Sequence, residues 1–261
     1  MKFRLISKDY PGDPYKNIAL DEAIFTEVLK GRSPPTFRFY RNANAVILGC
    51  FQIAEEEVDL GYAEANGIKV VKRITGGGAV YHDMGNLNYS IITKDVFGIG
   101  LDVQKLFSTM MDGAVCAFEN IGIDAEMGRL NDVSVNGKKI LGSAATIDSG
   151  ALLFHAAVLV DVDLNRLASV LKVPGVKLKD KGISTILERV TNIKSVSGKT
   201  IDDLRRALLE GYADSLEFEY EEGGLTDSEM KLLNRLYDRK FSRPEWNLGR
   251  EMLDVDDSVP E

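Results

Sequence analysis

The chain is poor in the residues that make most metal, redox and secretory frameworks. Two cysteines, Cys50 and Cys116, allow at most one disulfide, which is no scaffold and fits a reducing compartment. Nowhere does an apolar run approach the roughly eighteen residues that a membrane span requires, and Met1-Lys-Phe-Arg-Leu-Ile-Ser-Lys8 lacks the apolar core of a secretion signal. A cytoplasmic protein is expected, with no membrane partner. Positive charge is in deficit: 32 Lys and Arg against 40 Asp and Glu leave −8, which argues against nucleic acid bound through a basic face. There are two histidines, His82 and His155. What remains is a soluble globular composition, 44% hydrophobic over 261 residues, enough for a sizeable core in one main domain.

The densest chemistry lies in Lys72-Arg-Ile-Thr-Gly-Gly-Gly-Ala-Val-Tyr-His-Asp83. Gly76, Gly77 and Gly78 carry no Cβ, so their amides can approach an anion closely. The apolar run Ile68 to Val71 predicts a buried strand before them, and the alternation Leu87, Tyr89, Ile91 predicts a half-buried strand after them. Two phosphate motifs are excluded. No Lys-Ser or Lys-Thr follows the glycines, and the third glycine of the dinucleotide fingerprint is missing, with a strand rather than a helix downstream.

Elsewhere the pattern predicts an amphipathic helix over 17–31, with Asp21 and Glu22 near its N-terminus, and strands at Thr36 to Tyr40 and Ala45 to Gly49. A short helix runs from about Glu55 to Gly67, and a long one over 102–121 places Cys116 opposite its apolar stripe. Asn136-Gly137 predicts a hairpin joining Val133–Val135 to Lys138–Thr146, and Asp148-Ser-Gly150 turns into Ala151 to Val162. The rest is helical until Leu216, followed by an alternating strand with one wet face at Leu216, Phe218 and Tyr220. Thr200-x-x-Asp203 and Thr226-x-x-Glu229 mark helix starts, the second as a capping box. An acidic tail, Asp254 to Glu261, is expected to fray.

Arg73-x-x-Gly-Gly-Gly-Ala-Val-Tyr-His-Asp83-x-Gly-Asn86 resembles the signature of lipoate-protein ligases, relatives of biotin protein ligases and octanoyltransferases. Further similarities follow in the same order: Asn17-x-Ala-x-Asp-Glu22, Asn131-Asp132-Val-Ser-Val-Asn-Gly-Lys-Lys139-Ile-Leu-Gly-Ser-Ala144, His155-Ala-Ala-Val-Leu159, Lys181-Gly-Ile-Ser184 with Arg189-Val-x-Asn192, and Trp246-Asn-Leu-Gly249. The resemblance covers nearly the whole chain. It implies an α+β fold of the biotin/lipoate ligase kind, with mixed, mostly antiparallel sheets flanked by helices, forming a single catalytic domain over 1–261 without the small C-terminal accessory domain of many members.

It also implies the chemistry. A carboxylate is a poor acyl donor, so lipoate is activated with ATP to lipoyl-AMP, which the acceptor lysine opens; carboxylate and phosphate must be held together by a fixed cation. The resemblance assigns that role to Lys139. Strand alternation points Lys138 and Lys139 to opposite faces, so only one enters a site. Arg73, Gly76, Gly77, Gly78, Ala79, Val80, Tyr81, His82 and Asp83, with Gly142, Ser143 and Ala144, are expected to bind ATP and lipoyl-AMP. Val71, Val80, Leu141, His155 and Ala157 are expected as lipoyl-pocket walls, and Asp132 as a ligand of Mg²⁺. The implied acceptors are lipoyl domains of 2-oxoacid dehydrogenase complexes and glycine-cleavage H protein, with a separate small accessory subunit needed for adenylation.

Two other readings stay open. A thiol-dependent octanoyltransferase would need an accessible cysteine; none lies in Gly128-Arg-Leu-Asn-Asp132, where that family's nucleophile falls, leaving Cys50 as the candidate. A lipoyl-AMP transferase that does not adenylate, or a binding module, would keep the fold with less chemistry. Lipoate and octanoate differ too little in apolar volume for the sequence to choose between them.

Overall fold

The structure is a computed structural model that describes residues 1–94, 97–98, 100, 102–128, 131–173 and 179–249. The acidic tail expected to fray lies outside the described residues. Along the chain run β1 (Lys2–Ile6), α1 (Pro14–Leu29), β2 (Thr36–Tyr40), β3 (Asn44–Leu48), α2 (Ala54–Glu57), α3 (Leu60–Ala65), β4 (Lys69–Lys72), β5 (Val80–Asp83), β6 (Asn86–Thr93), α4 (Val103–Glu119) and β7 (Glu126–Met127). There follow β8 (Asp132–Val135), β9 (Lys138–Asp148), β10 (Ala151–Leu159), α5 (Leu164–Val170), α6 (Lys179–Arg189), α7 (Ile193–Ser197), α8 (Ile201–Ser215), β11 (Glu219–Glu222) and α9 (Asp227–Leu236), then a π-helical turn at Tyr237–Phe241 and α10 (Pro244–Asn247).

An eight-stranded sheet, ordered β11-β1-β2-β6-β10-β9-β8-β7, stands beside a three-stranded sheet, β4-β3-β5. Among the described strands only the β1–β11, β1–β2 and β3–β4 pairs are parallel, so the expected mixed, mostly antiparallel α+β fold is what forms. One face of the large sheet packs Phe37, Tyr89 and Phe154 against α4 and α8 through Met110, Phe118 and Tyr212. Its other face meets α1, whose Ile24 and Val28 join Ile92 and Leu153 with Trp246. The small sheet closes on α3 and α5 through Val46, Tyr81 and Leu167. Helix α1 thus lies between the two sheets, against a strand that each contributes to the site.

Several expectations need correcting. Helix α1 starts at Pro14, capped by Asp13, so Asp21 and Glu22 sit within it rather than at its N-terminus; they pair instead with Arg38 at 2.5 Å and Lys240 at 2.9 Å. Strand β6 is buried on both faces, not half-buried, because its polar residues Asn88 and Ser90 turn toward α1 rather than water. The helix expected up to Gly67 is broken at Val58, which bridges Leu171. Thr200 and Asp203 form a complete capping box as well, since an aspartate carboxylate also reaches back to the cap amide at 2.9 Å. The wet-faced strand is shorter than the alternation predicts: Leu216 and Phe218 are buried before Glu219–Glu222 begins. Both hairpins form with left-handed turn residues, Asn136-Gly137 (φ 51 and 70) and Ser149-Gly150 (φ 45 and 81), as their sequences require.

Candidate active site

Arg73 leaves the end of β4 and folds back under the glycine loop, where it is only 5% exposed. Its Nε donates to Thr75 Oγ1 at 2.9 Å, its Nη1 to the Ile47 carbonyl at 3.2 Å, and its Nη2 to the carbonyls of Gly76 and Gly78 at 2.6 and 3.0 Å. Gly77 between them has φ +91, and a Cβ there would lie 2.9 Å from Arg73 Nη2 and 3.6 Å from the Ala144 Cβ. The loop is therefore wedged between Arg73 and β9, and glycine is needed for both conformation and space. Burial pushes the Arg73 guanidinium down to about 10, so it stays charged at neutral pH. Among the described residues no carboxylate pairs with it. A buried cation without a counter-ion makes an electrostatic seat for an anion.

The lysine half is built differently. Strand β9 bulges where Val133 opposes Leu141 and Ser134 opposes Lys139, so Ile140 and Leu141 both enter the core and Lys139 shares the cavity face with Gly142 and Ala144. Lys138 is exposed, as alternation requires. Lys139 Nζ sits 2.6 Å from Asp132 Oδ1, and these side chains are 40% and 25% exposed. A Cβ on Gly142 would fall 2.7 Å from Lys139 Nζ, so the lysine lies over that glycine. The Lys139 carbonyl accepts from the Thr191 amide at 3.1 Å, tying β9 to the end of α6.

These two halves border one cavity of about 940 Å³. Arg73, Gly78, Ala79, Val80, Tyr81 and His82 line one side; Asp132, Lys139, Gly142, Ser143, Ala144, His155 and Ala157 line another. Five expected site residues, Gly76, Gly77, Asp83, Val71 and Leu141, are not among those that line the cavity. Val71 and Leu141 are fully buried in separate apolar cores and do not border the cavity, Leu141 because the bulge turns it inward. Asp83 does not border the cavity: it accepts from the Gly85 and Asp163 amides at 2.7 and 2.9 Å and holds the β5–β6 turn. No group of three His, Cys, Asp or Glu gathers among the described residues, and Asp132, the expected magnesium ligand, pairs with Lys139; one carboxylate is compatible with magnesium held mainly by phosphates.

Sequence reasoning missed one wall, Leu167, Leu171, Ile186, Arg189 and Val190 from α5 and α6, whose helices bring apolar residues to the cavity only through the fold. It also missed Thr75 and Asn131. Asn131 sits in a quoted motif, and its amide donates to the Ser143 carbonyl at 2.7 Å, pinning the loop before β8 to β9.

Both histidines are buried and neutral, His82 pushed down to about 3 by burial and by nearby Arg73, His155 shifted down mainly by burial. Asn42 donates to His82 Nδ1 at 3.0 Å, which leaves the proton on Nε2, an atom without a partner among the described residues. A neutral donor at the cavity wall suits an anionic or carbonyl oxygen. Cys50 is 6% exposed with its thiol shifted up by burial, and neither cysteine lines the cavity.

A buried cation without a counter-ion and a half-exposed lysine on one cavity fit an acyl-transfer domain, and residues 13–213 match the lipoyl protein ligase A/B catalytic domain. The chain belongs to the lipoate-protein ligase A family. It is 41% identical over 259 residues to lipoate-protein ligase A subunit 1 of Thermoplasma acidophilum, covering 95% of this chain and 97% of that protein. Octanoyltransferase LipM of Brevibacillus brevis is 33% identical, covering 91% and 95%. Among solved structures, one from a bi-partite lipoate protein ligase and its E2 lipoyl domain from T. acidophilum superposes with a TM-score of 0.91 at 42% identity, covering 98% of this chain and all of that one. A lipoate-protein ligase A bound with ATP gives 0.86 at 39% identity, covering 96% and 100%.

Proposed function

We propose that this chain is the catalytic subunit of a lipoate–protein ligase, which activates lipoate with ATP and transfers the lipoyl group to an acceptor lysine. The observation that carries this reading is the buried, uncompensated Arg73 beneath a glycine loop, on the same cavity as Lys139. In the first half-reaction the lipoate carboxylate attacks the α-phosphate of ATP and pyrophosphate leaves. In the second, the acceptor amine attacks the lipoyl carbonyl and AMP leaves. Both pass through added negative charge on phosphoryl or acyl oxygen, which fixed cations stabilise. Arg73 supplies such a charge from within the protein. Lys139 exchanges its Asp132 contact for the acyl and phosphate oxygens, and His82 Nε2–H donates without changing charge. Gly142, Ala144, His155 and Ala157, with the α5–α6 wall, give the acyl chain its apolar lining. Magnesium belongs with the nucleotide phosphates, and no step here is drawn through it.

The named relatives support the finer assignment. A subunit 1, and a bi-partite ligase with its E2 lipoyl domain, support a separate small partner that promotes adenylation and a lipoyl domain as acceptor. H protein is a further acceptor of the same kind. The thiol-dependent octanoyltransferase reading is disfavoured, because a covalent acyl relay needs a thiol with access to the acyl group and neither Cys50 nor Cys116 reaches the cavity. No described helix is long and apolar enough to cross a membrane.

Mass spectrometry of an acceptor lipoyl domain separates these statements. Synthetic lipoyl-AMP with the chain alone is expected to add one lipoyl group per acceptor; ATP, Mg²⁺ and lipoate are expected to do so efficiently only with the partner added. Absence of any product from lipoyl-AMP overturns the transferase assignment. Fast modification from ATP by the chain alone overturns the dependence on a partner.

A further inference from the structure

The motif Asn17-x-Ala-x-Asp21-Glu22 lies on α1 and borders the cavity through Ile18, while its polar residues Asn17 and Asp21 are buried beside the apolar core and away from the cavity wall. Asp21 is gripped on one side by Arg38, whose Nη1 donates to Oδ1 at 2.5 Å. On the other, its Oδ2 accepts from Ser90 Oγ at 2.8 Å and lies 3.5 Å from His155 Nδ1. An ionised carboxylate only accepts, so His155 must carry its proton on Nδ1 and present a bare Nε2. That Nε2 is 2.7 Å from Thr75 Oγ1, whose hydroxyl therefore donates to it. The Thr75 oxygen is then oriented to accept from Arg73 Nε at 2.9 Å, and Arg73 holds the carbonyls of Gly76 and Gly78. Every bond in this chain has one permitted direction. It starts at a carboxylate on α1 and ends at the glycine loop.

We propose that Asp21 is a positioning residue for the adenylate site: by fixing the tautomer of His155 it orients Thr75 and so holds Arg73 and the glycine loop in their receiving geometry. The proposal rests on the acyl-adenylate reading of the cavity for its consequence, and on geometry alone for the relay. The competing account is that Asp21 merely neutralises buried Arg38, in which case His155, Thr75 and Arg73 would not respond to it.

Asp21→Asn separates the two. Arg38 claims the amide oxygen, so the amide NH₂ faces Ser90 and His155 Nδ1, and the ring must move its proton to Nε2. His155 then donates to Thr75 and the relay reverses. In the full chain, long-range ¹⁵N–¹H spectra are expected to show His155 protonated on Nδ1 in the wild type and on Nε2 in Asp21→Asn, with the Arg73 Nε–H resonance displaced. Affinity for a non-hydrolysable lipoyl-AMP analogue is expected to fall about tenfold, the scale of one misdirected buried hydrogen bond. Thr75→Val cuts the relay downstream and should weaken binding to a similar extent, and Asp21→Asn should then add little on top of it, where independent structural effects would multiply. If Asp21→Asn does not fold, Ser90→Ala takes its place, keeping the Arg38 pair and removing one restraint on the carboxylate; a displaced Arg73 Nε–H signal, absent in the Thr75→Val background, is expected. Wild-type His155 protonated on Nε2, an Arg73 resonance indifferent to both changes, or multiplicative losses overturns the proposal. Failure of the wild type to bind the analogue counts against the acyl-adenylate reading instead, since the two resonances report the relay without ligand.

Discussion

The two halves of the site are held by opposite means. The glycine loop is fixed from inside: Arg73 donates four hydrogen bonds to neutral acceptors, and Thr75 and His155 extend that network away from solvent. Lys139 is half-exposed, held by a single ion pair and seated over Gly142. Buried polar networks rigidify and specify one geometry, whereas an exposed pair contributes about 1 kcal/mol or less and exchanges partners readily. The difference teaches a division of labour. On the proposed reading, a preformed seat would receive the phosphate, and a charge that can re-partner would follow the reaction from one half to the next.

That contrast can be broken from either side. Lys139→Ala should give the largest effect, lowering transfer from lipoyl-AMP by about a thousandfold, the scale seen when a key electrostatic stabiliser is removed, with little change in thermal stability; single-turnover kinetics and a melting curve measure both. Gly77→Val should invert the pattern. It forces a β-branched residue to φ +91 with its Cβ 2.9 Å from Arg73 Nη2, so both stability, by about 1–3 kcal/mol, and lipoyl-AMP affinity should drop; denaturant unfolding beside calorimetric titration shows which falls first. Gly142→Ala, whose Cβ would meet only the far end of Lys139 at 2.7 Å, should leave stability unchanged and slow transfer by about tenfold. A stability loss equal to that of Gly77→Val would erase the distinction between the halves.

The smallest effect is acid sensitivity. His82 takes up a proton near 6.5 when unfolded and only near 3 in the fold. Between those values the unfolded chain binds the extra proton, so stability falls as pH drops from 6.5 towards 3. His82→Gln should flatten that slope by about one proton and change little at pH 7, which urea unfolding at stepped pH resolves. An unchanged slope would mean that the loop half is not the acid-sensitive part.

How far the sequence reveals this depends on whether a residue acts through its own type or through distant packing. The glycine loop and Arg73 are legible because their chemistry is local, and the two hairpins are legible because Asn-Gly and Ser-Gly demand particular turns. Leu141 misleads because one inserted residue in β9 reverses the alternation, an event no two-residue period can announce. Ser90 looks like part of a wet face because its buried partner, Asp21, comes from another element, and Asn88 is buried beside it on the same strand face. Asp83 lies in the right motif with another task, and Asp21 stands in a visible motif whose purpose exists only after α1 meets β2, β6 and β10.

The Trp246-Asn-Leu-Gly249 segment carries a consequence in time. Trp246 Nε1 donates to the Lys72 carbonyl at 2.8 Å, Asn247 Oδ1 accepts the Lys72 amide at 3.0 Å, and Lys72 Nζ donates to the Gly249 carbonyl at 2.6 Å. The residue beside Arg73 is thus sealed by partners 174 to 177 positions later. During synthesis on the ribosome, β4 must wait with an unpaired edge until residues through Gly249 have emerged. Such long-range closure is slow and leaves a nascent chain vulnerable. A chain interrupted before Gly249 lacks the partners that seal Lys72, the neighbour of Arg73, although β4 still has β3 to pair with.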